Sequence, residues 1–258
     1  MSSYQQQVNC LAEDIDIGFW KAPQGVSVPD DELNFLLVPD AVESRAIFEL
    51  CSTVHEYQSQ RAAPSQQTTQ SRQANYDTPI TCALIATMGG MLPGILAYDH
   101  LVQGRPQGTP KIEFGTIGVS LYKGPNERYD APVVQQNISI PIEGETVLVI
   151  DDLGDRGGTL QFLKQYIADK GAAEVLTLAL YMKPEATRVC PADFFFGAVE
   201  QDIWIITPRE TVETMVKRVP VWQERGANMA ECRRRLVDLI GYPASLADYY
   251  LPGICGDQ

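Results

Sequence analysis

The stretch VLVIDDLGDRGGTL, residues 147–160, decides the fold. Its four leading apolar residues, Val147 to Ile150, are mostly β-branched and read as a strand buried on both faces. Asp151 and Asp152 end that strand, Asp155 and the pair Gly157-Gly158 make a turn, and Thr159 opens a helix running through TLQFLKQYIADKG to Gly171. Three carboxylates in five residues repel one another unless a ligand, a metal or a proton offsets their charge. Glycine allows close approach of backbone to an anion, and the free N–H groups at a helix start attract phosphate. One end of the turn therefore suits hydroxyls or a metal and the other suits a phosphate. A phosphorylated sugar presents both. An acidic cap and turn with no ligand accounts for Asp155 and Thr159, but not for Asp151-Asp152 placed directly after four buried apolar residues.

Outward from this stretch the chain alternates strand and helix. Upstream, ITCALIATM (80–88) has strand length, Gly89-Gly90 punctuates it, and MLPGILAYDHLV reads as a helix or a broken helix. KIEFGTIGVSLY (111–122) alternates and is a second strand, and KGPNERYDAP (123–132) reads as a mobile loop. Downstream, EVLTLALYM (174–182) is another buried strand and IWII (203–206) a short one. Helices are expected near 212–219 and 228–240, with Arg233-Arg234-Arg235 on a solvated face of the latter. Residues 41–57 carry Val42, Ile47, Leu50, Cys51 and Val54 at helical spacing. The glutamine-rich stretch 56–77 has almost nothing to bury, and the first 35 or so residues carry no readable role. The pattern predicts an α/β fold with a mainly parallel central sheet, whose site lies beyond the carboxyl ends of its strands. The expected division is an N-terminal extension over 1–77, comprising the amphipathic helix and a flexible linker, a core over 78–212 and a C-terminal helical extension over 213–258.

The chain has 258 residues, 45% of them hydrophobic, and a formal charge of −13. That composition excludes disorder for most of the chain and suffices for a core without metal or disulfide staples. No run approaches the ~18–20 apolar residues of a membrane span, and the start lacks a signal-peptide profile, so a protein without membrane association is expected. The six cysteines are far apart with no C-x-x-C pair, which argues for small buried hydrophobes rather than a zinc site. The acidic balance argues against nucleic acid as a partner. Any phosphate site must be built locally from backbone N–H groups, a few cations or a metal.

Residues 147–160 closely resemble the phosphoribosyl-pyrophosphate (PRPP) signature of the type I phosphoribosyltransferases, with Gly154 standing where an aliphatic residue is usual. The departure is expected to loosen packing of the turn without altering its chemistry. The resemblance implies the type I phosphoribosyltransferase fold, with a small hood, and it implies roles for residues. Asp151 and Asp152 would bind the ribose hydroxyls and organise Mg²⁺. The backbone of Asp155, Arg156, Gly157, Gly158 and Thr159, with the Thr159 hydroxyl, would hold the 5′-phosphate. Asp155 would face N7 of a purine as general base.

IATMGGMLPGILA (85–97) is similar to the pyrophosphate loop of the bacterial xanthine-guanine phosphoribosyltransferases. There Gly89 and Gly90 match, whereas Met88 stands where that family places Arg or Lys. Compensation is expected from Lys123 or Arg128, which follow a Ser120-Leu121-Tyr122 similar to the family's flexible-loop segment. YMKPEATRVCPADFFFGAVEQDIWIITPRE (181–210) resembles the base-recognition region. On that match Lys183 would donate to a purine 6-oxo group, Trp204 would stack on the ring, the Ile205 backbone would read the 2-substituent edge and Glu210 would assist.

The implied activity is a cytoplasmic, Mg²⁺-dependent transfer, in purine salvage, of phosphoribose from PRPP to guanine, xanthine or hypoxanthine. The products are the nucleoside 5′-monophosphate and pyrophosphate. Family members are commonly dimers or tetramers, and a homo-oligomer is expected on that ground. Two other readings stay open. One is a nucleotide- or PRPP-sensing regulator on the same fold, since Val119 to Lys123 also resembles the bacterial pyrimidine-operon attenuators. The other is a phosphoribosyltransferase-like protein recruited to a partner through its unmatched ends.

Overall fold

The computed structural model describes residues 15–62, 78–124, 127–200 and 202–256, with backbone alone for the strand residues within 121–131. In chain order the elements are α1 (Ile17–Lys21), β1 (Val26–Ser27), β2 (Asn34–Leu37), α2 (Asp40–Ala62), β3 (Cys82–Thr87), α3 (Met91–Val102), β4 (Glu113–Gly124) and β5 (Glu127–Gln136). They continue as β6 (Thr146–Gly154), α4 (Gly158–Asp169), β7 (Glu174–Met182), α5 (Pro184–Val189), β8 (Phe194–Ala198) and β9 (Trp204–Ile206). A 3₁₀ turn (Pro208–Glu210), α6 (Thr211–Glu224), α7 (Met229–Arg234), a π-helical turn (Arg235–Ile240) and α8 (Ala244–Gly256) complete the chain. None of the described helices is long and apolar enough to cross a membrane. Most of the glutamine-rich stretch, residues 63–77, lies outside the described residues, as does Cys10.

The chain divides into two compact units, one of residues 46–198 and the other of residues 1–45 with 199–258. These boundaries differ from the division at 77/78 and 212/213 expected from sequence.

The 46–198 unit is built on a six-stranded sheet in the order β5-β4-β3-β6-β7-β8. Every neighbouring pair is parallel except β4–β5, which is antiparallel. The mixed α/β architecture with a mainly parallel central sheet is therefore the one the sequence pattern predicts. β6 runs centrally, between β3 and β7, and so must be apolar on both faces. Val147 and Val149 pack with Leu163 and Ile167 of α4 and with Cys82, Leu84 and Ala86 of β3. Burying each such side chain contributes roughly 1.5–3 kcal/mol. At the sheet's lower edge Gln58 of α2 both donates to the Ile80 carbonyl (2.8 Å) and accepts from its N–H (2.6 Å). The arrangement satisfies a backbone pair just before β3 begins.

Three local expectations change. Residues 123–124 and 127–132 are strand rather than loop: β4 runs to Gly124 and β5 begins at Glu127, with Tyr122 opposite Arg128 and Gly124 opposite Glu127. Gly-Pro-Asn between two alternating runs is also a hairpin signal, and backbone pairing outweighs the composition. MLPGILAYDHLV is one unbroken helix, because Pro93 falls in its first turn, where no intrahelical N–H bond is lost. Gly154 does not loosen the turn, since Met182 fills the space: a Cβ there would lie 2.5 Å from the Met182 sulfur.

The other unit has a three-stranded sheet in the order β1-β2-β9, with β1–β2 antiparallel and β2–β9 parallel. Phe35, Leu37 and Ile206 from this sheet pack with Met215, Val219 and Trp222 of α6 and with Cys232, Leu236, Ile240 and Leu251. An acidic run, Asp30-Asp31-Glu32, is bound by side chains from α6 and beyond. Asp31, whose side chain is wholly buried, accepts from Arg218 (2.5 Å) and from the Trp222 indole (2.6 Å). Glu32 accepts from Arg225 (2.6 Å), and Asp30 from Arg235 (3.2 Å). Arg235 is 3% exposed, so the solvated-face expectation fails for that residue, while Arg233 and Arg234 pair at the surface with Asp248 and Glu231. Among the described cysteines, burial pushes Cys51 up to about 12 and Cys82 and Cys232 up to about 11, in keeping with inert packing.

Candidate active site

β6 stays buried through Asp151, which is 9% exposed, with Asp152 and Leu153 half-buried before the strand ends at Gly154. The Asp152 N–H donates to the Asp151 carboxylate (3.0 Å), which orients the first acid across the strand end. The turn is closed by Gly157 at φ +81°, a left-handed conformation that disfavours any side chain. A Cβ there would also lie 3.1 Å from Val189 and 3.2 Å from Ala186 of α5. At Gly158, the first residue of α4, nothing lies within 4 Å of a Cβ position. The helix start is thus open, and its first N–H groups have no intrahelical partner. The backbone from Asp155 to Thr159 runs through a bend at 155–157 into the first residues of α4. Arg156 lies 3.9 Å from Glu185, with its side chain 64% exposed.

A second turn, between β3 and α3, meets the end of β6. Its Thr87–Met88 peptide is cis. A Cβ on Gly89 would lie 2.5 Å from an Asp152 carboxylate oxygen and 2.8 Å from one of Asp151. A Cβ on Gly90 would land on the Ile150 carbonyl oxygen. Both glycines are required because the backbone of this turn lies directly on the strand end. The structure therefore brings Gly89 and Gly90 to Asp151 and Asp152, residues about sixty positions away in sequence. Met88 is 66% exposed and points its apolar side chain into solvent.

Lys183 follows β7 and caps α5, with Pro184 at the helix's first position. Its N–H donates to the Gly154 carbonyl (2.8 Å), and its ammonium lies 2.8 Å from the Asp155 carboxylate. The pairing of these two residues carries no local signal in the sequence. It arises because β7 is hydrogen-bonded beside β6, with Met182 in register with Gly154. The side chains of Tyr122, Lys123 and Arg128 lie outside the described residues. Trp204, Ile205 and Glu210 belong to the other unit. There Trp204 is opposite Phe35 with the Lys217 ammonium 5.8 Å from its ring, Ile205 is buried opposite Leu36, and Glu210 accepts from Arg209 (2.8 Å).

The donor set can be tested for a divalent cation. Asp151 and Asp152 supply hard oxygen donors side by side, against the Gly89 backbone. No group of three or more His, Cys, Asp or Glu capable of holding a metal occurs among the described residues. The pair suits Mg²⁺, which is commonly bound by one or two carboxylates and completed by water and substrate phosphate oxygens.

A phosphoribosyl transferase domain matches residues 96–211. A curated xanthine-guanine phosphoribosyltransferase of Desulfotalea psychrophila is 31% identical over 129 residues, which are 48% of this chain and 67% of that protein. The chain belongs to the phosphoribosyltransferase family of enzymes. A second relative, the xanthine-guanine phosphoribosyltransferase of Gluconobacter oxydans, is 27% identical over 138 residues, 54% of this chain and 73% of that protein. Among solved structures, the purine phosphoribosyltransferase of Pyrococcus horikoshii superposes with a TM-score of 0.49 at 22% identity, covering 67% of this chain and 92% of that one. Phosphoribosyltransferases generally use Mg²⁺ with PRPP, which accords with the donor set at Asp151 and Asp152.

Proposed function

We propose that the protein transfers the 5-phosphoribosyl group of PRPP to a 6-oxopurine, guanine, xanthine or hypoxanthine, giving the nucleoside 5′-monophosphate and pyrophosphate. The observation that carries this reading is the contact of the two turns, in which the Gly89 backbone lies against both the Asp151 and Asp152 carboxylates. PRPP bears a diphosphate at C1, hydroxyls at C2 and C3 and a phosphate at C5. Gly89-Gly90, Asp151-Asp152 and the open start of α4 offer partners for these groups in the same order.

The proposed reaction breaks the bond from C1′ to the diphosphate oxygen as a base nitrogen attacks C1′. Asp151 and Asp152 hold the ribose hydroxyls and carry negative charge beside a sugar that becomes oxocarbenium-like, so they stabilise it. A Mg²⁺ ion held by these two carboxylates and by substrate oxygens would offset the charge of the departing diphosphate. Asp155 takes the proton that the base gives up, and Lys183 donates to the 6-oxo group. A 6-amino group is itself a donor and offers the Lys183 ammonium no acceptor, which disfavours 6-amino bases. The choice of a 6-oxopurine is supported by the names of the two curated relatives. The roles proposed for Trp204, Ile205 and Glu210, and for Tyr122, Lys123 and Arg128, rest on the order and spacing of the sequence resemblance.

Incubation with PRPP, Mg²⁺ and each nucleobase, with nucleotide followed by chromatography, tests the reading. Product from at least one 6-oxopurine and little from adenine is expected. Tight nucleotide binding with no product from any base would sink it. That outcome would favour the second reading, a nucleotide- or PRPP-binding regulator on this fold. The observation behind that alternative is Met88, an exposed apolar side chain at the diphosphate turn.

A further inference from the structure

The two side chains proposed to handle the base meet each other. The Lys183 ammonium is 2.8 Å from the Asp155 carboxylate, and the lysine side chain is only 13% exposed against 49% for the aspartate. The contact is built into the backbone, because the Lys183 N–H donates to the carbonyl of Gly154, the residue before Asp155. In this pair the Asp155 carboxylate is engaged by the ammonium rather than open to a base. The transfer reaction asks Asp155 for the reverse, since the base loses a proton as it becomes a nucleoside.

Resting on the transferase reading above, we propose that the Lys183–Asp155 ion pair is a latch operated by the 6-position of the base. A 6-oxo oxygen draws the ammonium off Asp155, and the freed carboxylate accepts the proton. In the step itself, N9 of the base forms the bond to C1′ with its lone pair. The C1′–O bond breaks with its electron pair going to pyrophosphate, and the N7 proton passes to an Asp155 oxygen. Lys183 keeps its proton throughout. A base without the oxo group leaves the latch closed, so it is slowed in turnover as well as in binding. Lys183 is then a specificity-determining residue that acts on rate through Asp155.

The latch makes a prediction opposite to that of a plain hydrogen bond. 2-Aminopurine is guanine without its 6-oxo group, so a lysine that merely binds the oxygen is irrelevant to its turnover. In Lys183→Met the latch is permanently open: kcat for 2-aminopurine rises about fivefold, the order expected for a partly exposed ion pair, while KM for guanine rises. Unchanged or lower turnover of 2-aminopurine in that variant overturns the proposal. Should Lys183→Met fail to fold, Asp155→Asn decides. It releases Lys183 without removing it, so the ratio of GMP affinity to 2-aminopurine nucleotide affinity, measured by calorimetry, rises about fivefold over wild type. Any effect of the new amide on N7 is common to both nucleotides and cancels, so an unchanged ratio overturns the latch. Wild-type protein that forms no nucleotide from any 6-oxopurine overturns the transferase reading and the latch with it. Wild-type protein that converts guanine, with the ratio unchanged, removes only the latch.

Discussion

Two acidic clusters of similar size sit in this protein under opposite conditions. Asp30, Asp31 and Glu32 are met by Arg235, Arg218 and Arg225 and by the Trp222 indole, so each carboxylate has a cationic partner. In the other cluster the Gly89 backbone lies against Asp151 and Asp152, and Lys183 pairs with Asp155. The first cluster is neutralised by its own chain and ties an N-terminal segment to C-terminal helices. The second has glycine backbone and the open start of α4 beside its carboxylates, an arrangement that leaves room for a ligand or metal to join them. Number and spacing of acids do not separate the two cases. What faces them does.

The comparison breaks if the clusters respond alike to substitution. Asp155→Asn is expected to lower kcat with hypoxanthine by ~10²–10⁴-fold, the usual weight of a general base, with the thermal unfolding midpoint almost unmoved. Steady-state kinetics and a melting curve on the same sample check both halves. Asp31→Ala is expected to do the converse. It leaves Arg218 and the Trp222 indole without their buried acceptor and should lower unfolding stability by ~3–5 kcal/mol in urea titration. Retained stability would mean that this cluster is not structural. Met88→Lys supplies a cation at the turn proposed to hold the diphosphate and is expected to lower KM for PRPP by ~tenfold, the order of one charged hydrogen bond. No change would point to compensation by Lys123 or Arg128.

The smallest expected effect is a pH dependence to which Glu32 and Glu231 contribute. The hydrogen bond from Arg225 lowers Glu32 from the ordinary 4.5 to about 2, and those from Arg234 and Arg235 lower Glu231 likewise. A carboxylate depressed in the folded state contributes stability that is present above about 4.5 and is lost as pH falls toward about 2. Melting temperature should therefore decline across that window, and Glu32→Gln should flatten the decline. An unchanged slope in the variant would show that the Arg225 contact contributes nothing in solution.

Residues 147–160 made most of the site legible because the strand, the acids, the turn and the helix start are contiguous, and each has its own local chemistry. The hairpin from β4 to β5 was missed for a local reason, since glycine, proline and asparagine mark hairpins as well as loops. Arg235 was misplaced because a basic run on a helix has solvated and buried members that differ only in which way each side chain faces. The pairing of β2 with β9 left no trace in either segment, as Phe35 and Trp204 are opposite each other across most of the chain.

By itself the sequence determined the α/β class, the central position of β6 and the identity of the residues at its carboxyl end. Periodicity, burial of apolar runs and turn chemistry act over a few residues and can be read there. Only the tertiary structure decided that Gly89 lies on Asp151 and Asp152, that Lys183 closes on Asp155 and that three arginines reach Asp30, Asp31 and Glu32. Those facts depend on which strands become neighbours in the sheet and which helices pack together. Such contacts join residues far apart in the chain, and charge–charge and packing energies depend on the distance across space rather than along the sequence.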